Sequence, residues 1–230
     1  MKIKALFTEL LNLIYPNCCL VCGEILVSDE QYVCFRCLNE MPKTNFHNQR
    51  DNAAEKRFWG KVDIFRATAF FHYQKGSAFQ TLIHDLKYKG CKELGDVLGR
   101  FAAVDLIENK DFANIDFIVP VPLHPNKLRK RGYNQSEYIA RGLGTVMNKT
   151  VETENLYRAI ENPTQTKKTV YERFENTAGI FAIRDTQIFE DKHILLVDDV
   201  MTTGSTLEGC IIAMNEVKNL KISLFTLAIA

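Results

Sequence analysis

The residues with the clearest chemical pattern lie in one stretch near the C-terminus, HILLVDDVMTTGST, at positions 193–206. An apolar run ends at Val197, and two adjacent carboxylates, Asp198 and Asp199, follow it. Adjacent carboxylates can accept hydrogen bonds from the two vicinal hydroxyls of a ribose, whereas they would repel a phosphate in direct contact. The loop that follows offers hydroxyl donors around one glycine: Thr202, Thr203, Gly204, Ser205 and Thr206.

We expect a helix to begin at this loop, near Gly204. The first turn of a helix presents unpaired backbone N–H groups and a partial positive charge, and both attract a phosphate. A glycine at position 204 would let the backbone approach the ligand without an intervening Cβ atom. Hydroxyl residues at the start of a helix are also ordinary N-caps, so the loop alone is weak evidence. The loop and the acidic pair together favour a sugar phosphate as the ligand.

A second chemical pattern lies near the N-terminus, where five of the seven cysteines fall between positions 18 and 37. Cys19 and Cys22 form one C-x-x-C pair, and Cys34 and Cys37 form another. Four thiolates at this spacing can close a tetrahedral zinc site that is structural, since no position is left open for a substrate. Cys18 is an alternative to Cys19 in this set, and we prefer Cys19 as the ligand.

The spacing of apolar residues predicts the elements that position these groups. Ile194–Val197 is apolar without alternation, which is typical of a strand covered on both faces in a parallel sheet. Strands and helices alternate from Ile64 onward, so we expect a doubly wound α/β domain with a mostly parallel sheet. Ligands of such sheets bind beyond the carboxyl ends of the strands, where the acidic pair lies. The other predicted elements are strands at 64–73, 117–121, 151–158, 180–183 and 222–229 and helices at 76–88, 92–109, 134–147 and 204–218.

The chain of 230 residues accommodates one α/β domain and a small accessory module. We predict an N-terminal unit at 1–45, with an amphipathic helix at 1–16 before the cysteines, then a polar linker at 46–62 and the α/β domain at 63–230. A net charge of +1 gives no overall attraction to nucleic acid or anionic membranes. No stretch indicates a signal peptide or a membrane span, and the odd number of cysteines argues against a disulfide framework. A cytoplasmic protein without membrane insertion is expected.

A basic segment follows the predicted strand at 117–121. Residues 120–135 read PVPLHPNKLRKRGYNQ, with four cations in the five positions 127–131. On composition alone such a run is usually a solvated surface. Because this one leaves a strand end of the same sheet, it could instead reach a diphosphate at the same edge.

Three features in this order resemble the ComF family of competence-associated, amidophosphoribosyltransferase-like proteins: the C-x-x-C pairs, PVPLHP…RGYNQ and VDDVMTTGST. The segment IHDLKYKG, at 83–90, is similar to an LKYxG-type segment of that family. VDDVMTTGST also resembles the 5-phosphoribosyl-1-diphosphate (PRPP) motif of type I phosphoribosyltransferases. The resemblance covers nearly the whole chain. It implies an N-terminal zinc ribbon followed by a domain with the type I phosphoribosyltransferase fold.

The resemblance also implies roles for individual parts of the chain. Asp198 and Asp199 would bind the ribose 2′ and 3′ hydroxyls, and the loop at 202–206 would hold the 5′-phosphate. Magnesium would accompany the diphosphate. Residues 63–110 would include the hood on the acceptor side, and a mobile loop would lie within 158–176.

The diphosphate side of the implied site lies in the basic segment. The turn at Leu123 and His124 would belong to the loop that holds pyrophosphate, with Arg131 nearby. No catalytic residue is assigned, because the register of the 158–176 segment against the family pattern is not fixed.

The function implied by the resemblance is PRPP binding in natural competence, the uptake of DNA, with transfer of the phosphoribosyl group to an unidentified amine or nucleobase. An alternative is a non-catalytic competence factor that uses the fold and the zinc ribbon only to bind DNA or a partner. The implied partners are PRPP or another phosphoribosyl compound, single-stranded DNA, and a competence ATPase or helicase. The sequence leaves open whether the protein is an enzyme.

Overall fold

The computed structural model describes residues 16–159 and 180–230. The predicted N-terminal helix and most of the implied loop within 158–176 lie outside the described residues. The described strands are β1 (Arg66–His72), β2 (Phe117–Pro120), β3 (Thr150–Val151), β4 (Leu156–Arg158), β5 (Phe181–Ile183), β6 (His193–Met201) and β7 (Lys221–Ile229). The described helices are α1 (Phe35–Asn39), α2 (Ala53–Lys56), α3 (Gln80–Tyr88), α4 (Glu93–Ile107), α5 (Lys110–Ala113), α6 (Pro125–Arg131), α7 (Gln135–Met147) and α8 (Ser205–Ile212).

The central sheet has five parallel strands in the order β1-β7-β6-β2-β3. The predicted α/β class with a parallel sheet is therefore confirmed. The strand predicted at 151–158 is in fact two strands, because Val151 pairs with Ile118 in the sheet while β4 leaves it. β4 pairs with β5 in a separate antiparallel ribbon.

Both faces of the sheet are covered, as the apolar run in β6 predicts. Leu195 and Val197 pack into a cluster with the buried residues of α4 and α7. Ile194 and Leu196 point to the opposite face and pack with α8. All four side chains have no measurable exposure to solvent. The alternation of strand side chains thus gives the domain one apolar core on each side of the sheet.

Two glycines let α4 and α7 approach each other closely. A Cβ atom at Gly99 would collide with the backbone carbonyl oxygen of Ile139, and one at Gly142 would collide with that of Asp96. The helices therefore meet backbone to backbone, which only a residue without a side chain allows. This contact fixes α7, whose first residues, Gln135 and Ser136, lie at the acidic pair.

The segment at 46–62, predicted as a linker, packs against the sheet. Three of its apolar residues are buried in the cluster that includes α8: Phe46, Ala54 and Phe58. Asn52 caps α2 and donates a hydrogen bond of 2.9 Å to the carbonyl oxygen of Ala67. Arg66, buried in β1, donates from Nε to Glu55 Oε1 at 2.7 Å. These contacts hold the segment on the α/β domain, and the division of the chain into domains stays a prediction.

Three helices differ from the predictions. α3 begins at Gln80 although a helix from 76 is predicted. The basic run forms a helix, α6, with Pro125 in its first turn and Gly132 at its end in a left-handed conformation, φ 85°. α8 ends at Ile212 although a helix to 218 is predicted. Beyond it the backbone hydrogen bonds become i to i+3, as from Met214 N–H to the Ile211 carbonyl oxygen, while Met214 stays buried. The apolar spacing therefore continues after the regular helix has ended.

Among residues 16–159 and 180–230, no helix combines the length and the hydropathy that a membrane crossing needs.

Candidate functional site

A cavity of about 320 Å³ lies at the carboxyl ends of β2 and β6. Its lining includes the acidic pair and residues from α3, α6, α7 and β4. This is the edge at which ligands of open α/β sheets bind. The carboxylates, the cations and the hydroxyl groups that line the cavity differ in burial and hydrogen bonding.

The two carboxylates lie within β6, which continues past them to Met201 instead of ending at Val197. Asp198 Oδ1 accepts hydrogen bonds of 2.9 Å from Ser136 Oγ and from the Asp199 backbone N–H. Asp199 Oδ2 accepts a hydrogen bond of 2.7 Å from Gln135 Nε2. Asp199 Oδ1 lies 3.1 Å from Lys87 Nζ. The pair is thus oriented by neighbours on two helices.

Burial and, to a smaller extent, the negative charge of Asp199 raise the pKa of Asp198 to about 7. The hydrogen bonds from the Asp199 N–H and Ser136, together with the charge of Lys87, oppose this rise. Asp198 therefore acquires its negative charge close to neutral pH. In its charged form it can accept hydrogen bonds from hydroxyl groups of a ligand.

Four cations line the same cavity: Lys87, Lys127, Arg131 and Arg158. Against two carboxylates, they give the lining a net charge of 4 − 2 = +2. Arg131 Nη1 is buried and has no hydrogen-bond partner among the described residues, and its guanidinium lies over the Tyr88 ring at 5.8 Å. Because buried donors are normally paired, this group is available to an anionic ligand.

Part of the predicted hydroxyl loop reaches the cavity. Thr202 and Thr206 line it. Thr203 and Ser205 are exposed and bond to each other, with their hydroxyl oxygens 2.8 Å apart. Neither of these two residues belongs to the cavity lining. The loop thus offers two hydroxyl groups to a ligand in this conformation.

Gly204 is buried, with a left-handed backbone at φ 85°. A Cβ atom there would lie 3.0 Å from the Phe58 ring. This geometry gives a reason for the glycine that does not depend on a ligand, and close approach of a ligand to Gly204 stays a prediction. The backbone conformation and the ring of Phe58 require a glycine at this position.

Two of the three residues predicted for the diphosphate side line the cavity, and the third does not. Leu123 and Arg131 line the cavity, whereas His124 is absent from the lining. His124 instead caps α6, with Nδ1 accepting a hydrogen bond of 3.1 Å from the Asn126 N–H. This capping hydrogen bond at the start of α6 accounts for the position of the His124 side chain.

Several residues of the cavity lining carry no sequence pattern that predicts them as site residues. Gln135 and Ser136 follow the basic run, and Lys87 and Tyr88 lie in the LKYKG segment. These strings carry the resemblance but give no separate chemical signal. Arg158, the last residue of β4, has a pKa that burial lowers. Arg158 begins the 158–176 segment, in which the resemblance implies a mobile loop but assigns no site residue. Only the fold brings β4 to the end of β6.

The four predicted metal ligands come together in the structure. The Sγ atoms of Cys19, Cys22, Cys34 and Cys37 all lie within 4.8 Å of one another, so they could hold a metal ion. Cys18 is exposed and its thiol contacts the Pro16 carbonyl oxygen at 3.5 Å instead. The geometry thus favours Cys19 over Cys18.

The Cys19 thiol is prepared for ionisation by the backbone around it. Burial raises its pKa, but N–H groups of Cys22, Cys34 and Val21 lower it by more, to about 7. The thiolate is the form that binds metals. Cys19, Cys34 and Cys37 are also buried in the apolar cluster with α4 and α7, so the cysteine module is packed on the main core.

A second cleft, of about 340 Å³, lies between the cysteine module and α4. Asp29, Glu30 and Asp96 line it, and its one lining cation, Arg100, is paired with Asp96 at 2.7 Å. This excess of negative charge disfavours a phosphorylated ligand. The cavity at β2 and β6 is therefore the candidate site.

Known proteins resemble the part of the chain that forms most of this cavity. The family described as phosphoribosyl transferase domain matches residues 96–229, more than half of the chain. The DNA utilization protein YhgH of Escherichia coli K12 is 29% identical over 129 residues, which are 55% of this chain and 56% of that protein. The competence protein ComFC of Streptococcus pneumoniae R6 is 26% identical over 210 residues, which are 82% of this chain and 89% of that protein. The chain thus spans about half the length of YhgH.

A solved structure with a similar fold is the glutamine PRPP amidotransferase from B. subtilis, complexed with ADP and GMP. The TM-score is 0.39 and the identity 16%, over 60% of this chain and 26% of that one. A similarity this low to the solved amidotransferase structure supports no argument about function. The matched domain and the named relatives carry the assignment: this chain belongs to the phosphoribosyl transferase domain family, as a ComF-family, phosphoribosyltransferase-like protein.

Proposed function

We propose that the protein binds PRPP in the cavity at the ends of β2 and β6 and transfers its phosphoribosyl group, in the cytoplasm, as part of DNA uptake. The observation that carries the proposal is the meeting of an acidic pair and four cations in one cavity. PRPP requires both, because it combines a ribose with two phosphorylated ends. A cavity of about 320 Å³ lies at the lower end of the range for small ligands, roughly 300–1,000 Å³.

The lining suggests one orientation of the ligand. The ribose hydroxyls would donate hydrogen bonds to Asp198 and Asp199, and the 5′-phosphate would lie near Thr202 and Thr206. The diphosphate would then face the cations, among them Arg131, whose Nη1 has no hydrogen-bond partner within the described part of the chain. Charge-assisted hydrogen bonds of this kind are stronger than those between neutral groups.

The proposed reaction is a displacement at the anomeric carbon. The bond from this carbon to the diphosphate oxygen breaks, pyrophosphate leaves with the electron pair, and an acceptor nitrogen forms the new bond and loses a proton. The cations of the lining would stabilise the charge that develops on the leaving group. The acidic pair would hold the ribose while the bond breaks.

Magnesium suits this site, since it prefers oxygen ligands. Asp198 and Asp199 are the carboxylates that line the cavity within the described residues, and they would hold the ion together with oxygens of the ligand. When bound, magnesium would neutralise part of the charge on the diphosphate.

We further propose that the four clustered cysteines bind zinc with a structural role. Four thiolates leave no open coordination position for a substrate, so the ion would stabilise the small module. The link to DNA uptake is supported by the names of the relatives, a DNA utilization protein and a competence protein.

The proposal is tested by isothermal titration of PRPP with magnesium into the full chain. We expect wild type to bind and the double variant Asp198→Asn/Asp199→Asn to lose more than about a hundredfold in affinity, from two charge-assisted hydrogen bonds of about 1.5–3 kcal/mol each. The matched control, Asp63→Asn/Glu216→Gln, removes two exposed carboxylates and should bind as wild type does. Absence of binding by wild type would refute the proposal.

Turnover is tested separately, by pyrophosphate release from PRPP in the presence of a panel of nucleobases and amines. Release that depends on one acceptor class identifies a transferase. Binding without release under any acceptor identifies a protein that uses PRPP only as a ligand.

A further inference from the structure

One cation of the cavity lies directly on the acidic pair. Lys87, in the last turn of α3, places Nζ 3.1 Å from Asp199 Oδ1, and 24% of its side chain is exposed. The other oxygen of Asp199 accepts the hydrogen bond from Gln135. Lys87 therefore pairs with the Asp199 oxygen that Gln135 does not use, and a ribose hydroxyl that approaches this oxygen competes with the ammonium group.

The surroundings of Lys87 offer it a second partner. Tyr88, the next residue on α3, lies under the guanidinium of Arg131, so the cations assigned to the diphosphate border Lys87. A lysine ammonium has three donors on a flexible stem and can turn from one oxygen to another at low cost. A partly buried ammonium that leaves a carboxylate needs a new anionic partner, because an unpaired buried charge is strongly unfavourable.

We propose that Lys87 is a diphosphate-binding residue that changes partner when PRPP enters, pairing with Asp199 in the free protein and with the diphosphate in the complex. This inference rests on the proposed function. It assigns to α3 a direct part in holding PRPP, and it means that the ribose subsite favours a ligand that gives Lys87 a replacement for Asp199. A ligand without a diphosphate competes with Lys87 for Asp199 and offers the ammonium group no replacement.

The helix supplies a matched control. Lys89 follows α3 and also pairs with an aspartate, with Nζ 3.0 Å from Asp85 Oδ1. Its side chain is 57% exposed and it does not line the cavity. Lys89→Met therefore removes one lysine–aspartate pair from the same region without touching the proposed site.

The experiment compares two ligands that differ in the diphosphate, PRPP and ribose 5-phosphate, by titration calorimetry on wild type, Lys87→Met and Lys89→Met. The measurements are made at pH 8.5 with magnesium, so that the acidic pair is ionised. We expect Lys87→Met to weaken PRPP about tenfold to a hundredfold, which corresponds to one charge-assisted hydrogen bond. Ribose 5-phosphate should bind this variant as tightly as wild type or more tightly, because no ammonium competes for Asp199.

The opposite responses to the two ligands separate a direct contact from a loss of structure. Equal weakening of both ligands in Lys87→Met, or unchanged affinity for PRPP, would overturn the role of Lys87 while leaving the proposed function intact. Lys89→Met should bind both ligands as wild type does, and a loss of PRPP affinity there equal to that of Lys87→Met would also overturn it. Failure of wild type to bind PRPP would instead refute the proposed function, and the inference with it.

Discussion

Replacing Asp198 by asparagine should make the ligand-free protein more stable at pH 8 while it weakens PRPP binding about tenfold to a hundredfold, from the loss of one charge-assisted hydrogen bond. Asparagine keeps an oxygen that accepts the hydrogen bonds from Ser136 and from the Asp199 N–H. It removes the buried charge that faces Asp199. Residues that serve ligand binding at the expense of stability behave in this way.

The magnitude follows from the pKa of Asp198. Its pKa is about 7 in the folded protein and about 3.9 in an unfolded chain, and one pKa unit corresponds to about 1.4 kcal/mol. Ionised Asp198 therefore lowers the free energy of unfolding by up to about 4 kcal/mol above pH 7. Since the folded state holds the proton more tightly than the unfolded state, wild-type stability rises as the pH falls through 7. Between pH 8 and pH 6 wild type should regain about 1.4 kcal/mol, and the advantage of Asp198→Asn should shrink by this amount.

Urea unfolding of wild type, Asp198→Asn and Asp63→Asn at pH 8 and pH 6, at a fixed zinc concentration, measures these differences. Asp63 is exposed, so its variant corrects for general effects of removing a negative charge. The groups that face Asp198, namely Asp199, Lys87 and Cys210, are unchanged in both variants. A variant Asp198→Asn that is less stable than wild type at pH 8, or a difference independent of pH, would refute the reasoning.

Three further predictions concern other parts of the molecule. Gly142→Ala should lower the free energy of unfolding by more than about 2 kcal/mol, because the added Cβ atom would separate α4 from α7. An unchanged melting temperature of this variant would contradict the close contact between the two helices. Cys19→Ser should lose bound zinc in metal analysis, whereas Cys18→Ser should keep about one zinc per chain. Equal zinc content in the two variants would show that the proposed set of zinc ligands is wrong. Arg131→Met should weaken PRPP binding about tenfold or more, because it removes a buried donor of the lining that residues 16–159 and 180–230 leave unpaired. Exposed Lys130→Met serves as its control, and equal affinities of the two variants would exclude the contact.

The sequence was sufficient to locate the acidic pair and its loop because they lie in one continuous segment. The apolar run of β6 marks a buried strand, and polar residues after such a strand reach the edge where ligands bind. The same holds for the cysteines, whose spacing within twenty positions is itself the signal. Local patterns of this kind can be recognised without any knowledge of tertiary contacts.

The remaining site residues depend on contacts that the sequence does not display. Gln135 lies 64 positions before Asp199, and nothing in its neighbourhood marks it as a hydrogen-bond donor to a carboxylate. Phe58 lies in a polar stretch that resembles a linker, yet its ring supports Gly204. Single apolar residues between polar ones give no periodicity, so their burial becomes visible only when the strands are assembled.

The central claim, that a ribose phosphate binds at the end of β6, is tested most directly by a crystal structure of the full chain with PRPP and magnesium. We expect ribose 2′ and 3′ oxygens within about 3.2 Å of the carboxylates of Asp198 and Asp199, with the 5′-phosphate at Thr202 and Thr206. PRPP bound at any other surface, with Lys87 still on Asp199, would contradict it.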